Sequence, residues 1–279
     1  MRVPEEFTWR LAGRGAEFDH GLGRCVHGSL EEVARAPRVA LVAHFDPAAQ
    51  FARSTHALAG ALSDEGYAVV VVSSSPRVPD PRGLPPSAVV VARPNLGYDF
   101  GSWATALRLL PTVRDGAEVV LTNDSMVGPF APLGPVLARA RDADVWAATS
   151  SLQISPHLQS YFLRFAPGVL AHPGLVDFFD GVRHLTNKVA VVHRYEIGLT
   201  RAVRRAGLRT AAGFPAAALG AGTANPTIVA WRELLEAGYP FFKWTLLRDP
   251  RVRVDTAVLR AAVRDIFGAD LDDFLGDSQ

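Results

Sequence analysis

Cysteine is almost absent: Cys25 is the only one in 279 residues. An intramolecular disulfide is therefore excluded, and so is a cysteine-built metal cluster. A surplus of one charge is also missing. With 29 basic against 28 acidic residues the net charge is +1, and the cations are scattered. No basic stripe offers itself to a nucleic-acid backbone, so nucleic acid is not an expected partner. Met1–His20 mixes charges throughout and lacks an apolar centre, which speaks against a signal peptide. Thr210 to Trp231 carries no charge at all, but Gly213, Pro215, Gly220, Gly222, Asn225 and Pro226 break it up. That excludes a membrane-spanning helix there and reads as a loop packed beside a site; peripheral membrane contact stays open. No Walker A, G-x-G-x-x-G, H-E-x-x-H or G-x-S-x-G pattern occurs. P-loop phosphotransfer, standard dinucleotide oxidoreduction, zincin proteolysis and α/β-hydrolase chemistry therefore lose their usual signatures.

What is present is a soluble-protein balance, 48% hydrophobic and 20% charged, with ample length for a large core. Short, unbroken apolar runs recur: Arg38 to His44, Tyr67 to Val72, Ala88 to Val91, Val119 to Leu121 and Asp144 to Thr149. Continuous runs of this length suit parallel strands buried on both faces. Between them lie helical periods. Phe51, Leu58 and Leu62 share one face of a helix expected from about Ala48, and Trp103, Ala106, Leu107 and Leu110 form another. Strand, helix, strand implies right-handed parallel crossovers and an α/β sheet, mostly parallel and flanked by helices.

Beyond Thr149 the character changes. His157–Phe165 reads as one aromatic-bearing strand. His193–Glu196 opens a helix that ends at Gly207. Pro240–Trp244 reads as an interfacial turn, residues 256–268 as a helix, and the acidic last ten residues as frayed. The expected organisation is an N-terminal extension over 1–37 and a single domain over 38–255. Its two halves are about 38–150 and 151–255, with a C-terminal helix and tail over 256–279.

Polar residues gather where these strands end. Asn123, Asp124 and Ser125 follow the fourth apolar run and precede Gly128-Pro129. Such oxygen-rich side chains can hold Mg²⁺ or Mn²⁺ against a diphosphate, and they are equally ordinary turn residues. Asn95 to Ser102 is a glycine-containing loop that runs into a helix N-terminus, where anions are favoured. Within it Asn95 is a turn or ligand residue, and Asp99 can bind a sugar hydroxyl or cap the helix. His44 and Asp46 end the first strand, where ligands of open α/β sheets lie. Glu196 is a candidate general base for transfer to a hydroxyl, with Asp177 and Asp180 behind it; its other reading is a first-turn acid on a helix dipole. Lys243 can neutralise a leaving diphosphate or snorkel at a core edge. Trp103, Trp231 and Trp244 can stack on a base or sugar or fill the core.

Several segments together resemble the rhamnan synthesis protein F family. They are Asn95-Leu96-Gly97-Tyr98-Asp99-Phe100-Gly101-Ser102-Trp103, Leu121 to Pro129, His157-Leu158-Gln159-Ser160-Tyr161-Phe162 and Arg194-Tyr195-Glu196-Ile197-Gly198-Leu199. Asn225-Pro226-Thr227 with Trp231, and Pro240-Phe241-Phe242-Lys243 with Leu246-Leu247-Arg248, complete the set. The likeness spans roughly residues 38 to 250. It implies a GT-A-like, Rossmann-type glycosyltransferase with a donor half followed by an acceptor half. Such enzymes build cell-surface polysaccharide, often from dTDP-rhamnose, in the cytoplasm at the inner face of the membrane. It further implies a nucleotide-diphosphate sugar donor, a glycan or lipid-linked glycan acceptor, and inversion at the sugar carbon with Glu196 as base. His44, Asp46, Asn95, Asp99, Asn123, Asp124, Ser125 and Lys243 become donor-site residues. The acidic motif of that fold is D-x-D. Here it reads Asn123-Asp124-Ser125, leaving Asp124 as the lone metal carboxylate. The rival expectation is a non-catalytic nucleotide-sugar or glycan binder, or a scaffold, of a polysaccharide-assembly complex.

Overall fold

The computed structural model describes residues 23–185 and 188–276. The expectation about Met1–His20 falls outside them. The strands are β1 (Arg24–His27), β2 (Arg38–His44), β3 (Ala68–Ser73), β4 (Val89–Ala92), β5 (Glu118–Asn123), β6 (Met126–Val127), β7 (Val145–Ser151), β8 (His157–Leu158), β9 (Phe162–Phe165), β10 (Thr210–Phe214) and β11 (Phe242–Lys243). The helices that matter for the site are α1 (Leu30–Ala34), α2 (Arg53–Asp64), α3 (Tyr98–Leu109), α4 (Pro173–Asp180), α5 (Ile197–Arg205), α6 (Trp231–Glu236), α7 (Thr256–Phe267) and α8 (Asp272–Leu275).

The main sheet runs β1-β4-β3-β2-β5-β9-β7-β10. β4, β3, β2 and β5 are parallel neighbours. β9 is antiparallel to both β5 and β7, and β10 is parallel to β7. The fold is thus α/β with a mostly parallel central sheet. Its order reverses at β2, which has β3 on one side and the much later β5 on the other. Such a reversal leaves a crevice between diverging crossovers at the carboxyl ends of the two strands.

Side chains alternate across the sheet as a two-residue period requires. Val39, Leu41, Val119 and Leu121 pack into the layer with Trp103 and Leu107 of α3, together with Phe179 and Leu199. Ala40, Val42 and Val120 face the opposite layer, with Leu58 and Leu62 of α2 and Leu133 and Val136. Trp103 is wholly buried and its Nε1 donates to the Thr122 carbonyl at 3.1 Å, so it belongs to the core. A third cluster joins Phe242, Trp244 and Leu247 to Leu259 and Val263 of α7.

Several local expectations are corrected. Leu271 is fully buried and Arg53 of α2 donates to the Asp272 carbonyl, so the acidic end is packed as far as residue 276. Pro240–Trp244 is no interfacial turn: Phe241 and Phe242 are buried, and β11 pairs with β6. A short strand expected at Leu208–Ala211 is present but runs over Thr210–Phe214, into the uncharged stretch, and the helix expected from Ala48 begins at Arg53. Part of the N-terminal extension, β1, joins the sheet edge antiparallel to β4.

At the amino ends of the strands, Glu118 ties the sheet together. It accepts from Arg38 of β2 at 3.1 Å, from the Tyr67 hydroxyl, and from Arg164 of β9 at 3.0 Å. This clamp sets β2, β5 and β9 side by side, which fixes where their far ends deliver side chains. Removing the shared acceptor of a half-buried cluster leaves two guanidiniums without their counter-charge, though each keeps a backbone carbonyl. Glu118→Ala should therefore cost about 1–2 kcal/mol of unfolding free energy in urea denaturation; no loss would mean that the clamp is idle.

Candidate active site at the reversal of the sheet

Period two carries Val119 and Leu121 onto the α3 face, and Asn123 follows them. There its Nδ2 donates to Asp99 Oδ2 at 2.7 Å. Asn123 Oδ1 turns the chain by accepting from the amide and hydroxyl of Ser125, at 3.2 and 2.7 Å. Asp99 lies in the first turn of α3, and the helix has no side-chain cap. Gly97 takes the N-cap place at φ 78°, a conformation glycine adopts at little cost. Its amide donates to His184 Nδ1 at 3.2 Å, so one of the helix's open N–H groups is already used. A side chain at Gly101 would run into the Leu96 carbonyl and the Arg93 guanidinium, which is why this loop can fold so tightly.

Asp124 reaches back over the reversal. Its amide donates to the Ala43 carbonyl at 3.2 Å, and its Oδ2 accepts from the Phe45 amide at 2.9 Å. The carboxyl keeps 24% of its surface. Burial pushes its pKa up to about 7; the Phe45 hydrogen bond opposes this, and the nearby Asp99 and Asp46 carboxylates reinforce it.

His44 is buried, with Nδ1 3.1 Å from Ser73 Oγ and Nε2 3.1 Å from the Gln50 carbonyl. A carbonyl only accepts, so Nε2 carries the hydrogen. Burial lowers the ring's pKa to about 4, and it stays neutral at ordinary pH. Asp46 holds the following turn: its Oδ1 accepts from Gln50 N at 3.2 Å.

Two hollows flank this crevice. One, of about 570 Å³, lies outside β2, β3 and β4 and is lined by Arg24, Phe45, Ser74, Ser75, Arg77 and Asn95, among others. The other, of about 190 Å³, is lined by Asp99, Asn123, Ser125, Ser160, Glu196 and Lys243, together with Tyr98, Tyr161 and their neighbours. The loop from Pro94 to Tyr98 contributes to both walls. Lys243 sits with Nζ 5.0 Å above the Tyr161 ring. The smaller hollow thus gathers five of the sequence-derived candidates: Asp99, Asn123, Ser125, Glu196 and Lys243. Asn95 lines the larger one.

The sequence reading of Glu196 as a helix-opening acid is corrected. It ends a π-helical turn, Val192–Glu196, between a short helix at Lys188–Val191 and α5. No free helix end lies beside it. Its Oε1 instead accepts from the Ser160 amide at 2.8 Å and the Ser160 hydroxyl at 3.0 Å. This also explains why His157–Phe165 is not one strand. Gln159–Phe162 stand against only Ala148 and Thr149 of β7, so the return strand bulges. Gln159 N still donates to the Thr149 carbonyl at 3.0 Å, but the Ser160 amide leaves the ladder for Glu196. Asp180 pairs with Arg114 at 2.8 Å, away from the hollow. Trp244 is buried and Trp231 half-buried in the third cluster. Among residues the sequence reading did not single out, Arg24, Ser74, Ser75 and Ser160 line these hollows; only the position of Ser75 before Pro76 marked a strand end.

For a divalent cation the donor chemistry is suitable but sparse. Asp99, Asp124 and Ser125 offer hard oxygens, yet no group of three or more His, Cys, Asp or Glu among the described residues could hold a metal ion. Mg²⁺ commonly takes one or two carboxylates and completes its shell with phosphate oxygens and water, so the residues fit a cation that arrives with a diphosphate. Among those residues no helix is long and apolar enough to cross a membrane.

Comparison with known proteins gives one family. The model described as "Rhamnan synthesis protein F" matches residues 87–265. The match takes in Asn95, Asp99, Asn123–Ser125, Glu196 and Lys243, and leaves out His44 and Asp46. "Virulence protein VirA" of Vibrio anguillarum is 27% identical over 193 residues, 58% of this chain and 62% of that protein. "Uncharacterized protein y4gN" of Sinorhizobium fredii is 26% identical over 149 residues, 50% of this chain and 39% of that protein. The chain thus aligns with less than two thirds of either curated relative.

Asp124 supplies a test without any ligand. A carboxyl whose folded pKa is raised binds its proton more tightly folded than unfolded. Its contribution to stability is complete below about pH 4 and is lost as pH rises toward 7. Asp124→Asn keeps an acceptor for Phe45 N–H and removes the charge. Its melting temperature should exceed that of the parent by several degrees at pH 8, and by little at pH 4.5. Equal differences at both pH values in calorimetry would contradict the burial of this carboxyl.

Proposed function

The chain belongs to the rhamnan synthesis protein F family, and from that premise we propose that it is a glycosyltransferase of polysaccharide synthesis. In this reading it moves a sugar, rhamnose being the first candidate, from a nucleotide-diphosphate donor to a glycan or lipid-linked glycan. The observation that carries the reading is the smaller hollow. It lies at the sheet's reversal and brings Asp99, Asn123, Ser125 and Lys243 opposite Glu196. In this reading residues of about 38–150 serve the donor and those of 151–255 the acceptor, as in a GT-A enzyme, although β9 of the second range lies between β5 and β7 of the first within the sheet. Work at the cytoplasmic face of a membrane fits a lipid-linked acceptor.

The donor's nucleotide occupies the larger hollow, with Arg24 and Arg77 near its charge and Asn95 on its edge. The diphosphate crosses the loop at Pro94–Tyr98 and meets Lys243. The sugar enters the smaller hollow, with Asn123, Asp99 and Ser125 as partners for its hydroxyls. His44 and Asp46 act by holding the end of β2. Asp124 and Asp99 would hold Mg²⁺ or Mn²⁺, which when bound neutralises charge on the departing diphosphate.

Glu196 is the base. Two donors from Ser160 fix its orientation. As the acceptor oxygen attacks the anomeric carbon from the face opposite the diphosphate, its proton passes to the carboxylate. The bond from the sugar to the phosphate oxygen breaks, and its electron pair leaves with the nucleoside diphosphate. Attack from the far side inverts the carbon.

A panel of dTDP-, UDP- and GDP-sugars, assayed for nucleoside diphosphate release with and without Mn²⁺, tests the reading. One donor should turn over, and Glu196→Gln should slow transfer at least about 100-fold, within the range for a general base. Its donor KM should stay within a few-fold of the parent's. Thermal stabilisation by a sugar nucleotide without turnover would favour a non-catalytic binder, for which the lone carboxylate at 123–125 speaks.

A further inference from the structure

We propose that His157 is a positioning residue acting through Glu196, and that imidazole and carboxylate together hold the proton taken from the acceptor. The inference rests on the reading of Glu196 as base. His157 is buried behind the smaller hollow and is not part of its lining. Its Nδ1 lies 2.7 Å from the Ser155 carbonyl. A carbonyl oxygen only accepts, so Nδ1 carries the hydrogen, and in the neutral ring Nε2 is the bare nitrogen.

That bare nitrogen faces Glu196 Oε2 at 3.9 Å. The other carboxylate oxygen, Oε1, is held by the amide and hydroxyl of Ser160. With Glu196 ionised and His157 neutral, two lone pairs confront each other and nothing binds them. One proton turns this contact into an attraction, and a small closure makes it a hydrogen bond. The pair is therefore poised to gain a proton.

The spacing is built in. Leu158 N donates to Thr200 Oγ1 at 3.0 Å, and Thr200 stands one helical turn beyond Glu196. β8 is thus latched to the same helix face at Thr200 and Glu196. The π turn over Val192–Glu196 shifts that face by one residue relative to the preceding helix.

The charged and titratable surroundings are few. β7 presents Ser151 and Ser150 to β8, neither of which titrates. The helix brings Glu196 and, within the π turn, His193 and Arg194. Across the hollow stand Lys243, Asp99 and Tyr161. In the reaction the acceptor hydroxyl's proton moves to the Glu196 carboxylate as the new C–O bond forms. It then rests between Oε2 and Nε2 while the nucleoside diphosphate departs with the electron pair of the broken bond.

His157→Asn is the informative variant, because its amide NH₂ can still donate to the Ser155 carbonyl while nothing replaces Nε2. With dTDP-rhamnose as donor, kcat should fall about tenfold or more, with donor KM and melting temperature close to the parent's. The acid limb of kcat should move, because one group instead of two then holds the proton taken from the acceptor. A second arm needs no ligand. Long-range ¹H–¹⁵N spectra should show the Nδ1–H tautomer of His157, with an Nε2 resonance that changes in Glu196→Gln. A fall in kcat without movement of the limb would overturn the pairing, as would an Nε2–H tautomer or an Nε2 signal indifferent to Glu196→Gln. If Glu196→Gln itself transfers sugar normally, the base reading fails instead.

Discussion

The candidate site is organised around a single long-range contact, the Asp124 carboxyl bound to the Phe45 amide across the reversal of the sheet. β2 and β5 are neighbours in space but are separated in the chain by β3, β4 and three crossovers. Their carboxyl ends would part there and leave open backbone. Asp124 closes the gap with its side chain and its amide. The closure costs something: a carboxyl is held beside Asp99 and Asp46 in a place that favours its neutral form. Arrangements that disfavour a lone buried charge are tolerated most often where a ligand later supplies the missing partner.

The opposite edge of the sheet works in reverse. There Glu118 has more than enough company in Arg38, Tyr67 and Arg164, and burial is outweighed by the hydrogen bonds that keep its pKa low. One end of β5 is thus locked by satisfied charge, and the other is left electrostatically unfinished. Two apolar layers on either face keep the strand between them from relaxing the contrast. Within a packed interior a shift at one end cannot be absorbed locally. The smaller hollow accordingly inherits its geometry from residues that never touch it.

Much of this was legible in sequence because the signals were local. Unbroken apolar runs announced the parallel strands, and Asn123–Ser125 followed one of them by direct succession. The i, i+3, i+4 pattern from Trp103 announced α3. The rest depended on partners far away in the chain. Glu196 looks like a helix-opening acid after His193-Arg194-Tyr195, and only Ser160, 36 residues earlier, explains its place in a π turn. The break in His157–Phe165 arises from polar side chains that outbid the ladder, which period counting does not see. Phe241 and Phe242 suggested an interface because nothing nearby announced β6 as the strand that β11 would pair with. β1 is short and weakly periodic, and it exists as a strand only because β4 offers an open edge.

The central claim is that a nucleotide-diphosphate sugar binds at the reversal, across the two hollows. Hydrogen–deuterium exchange with and without dTDP, UDP and GDP tests it most directly. One of these nucleotides should slow exchange at the amides of Phe45–Asp46, Ser74–Arg77, Asn95–Asp99 and Asp124–Ser125, and leave the Arg38–Glu118–Arg164 edge unchanged. Protection confined to other segments, or none with any of the three nucleotides, would contradict the account.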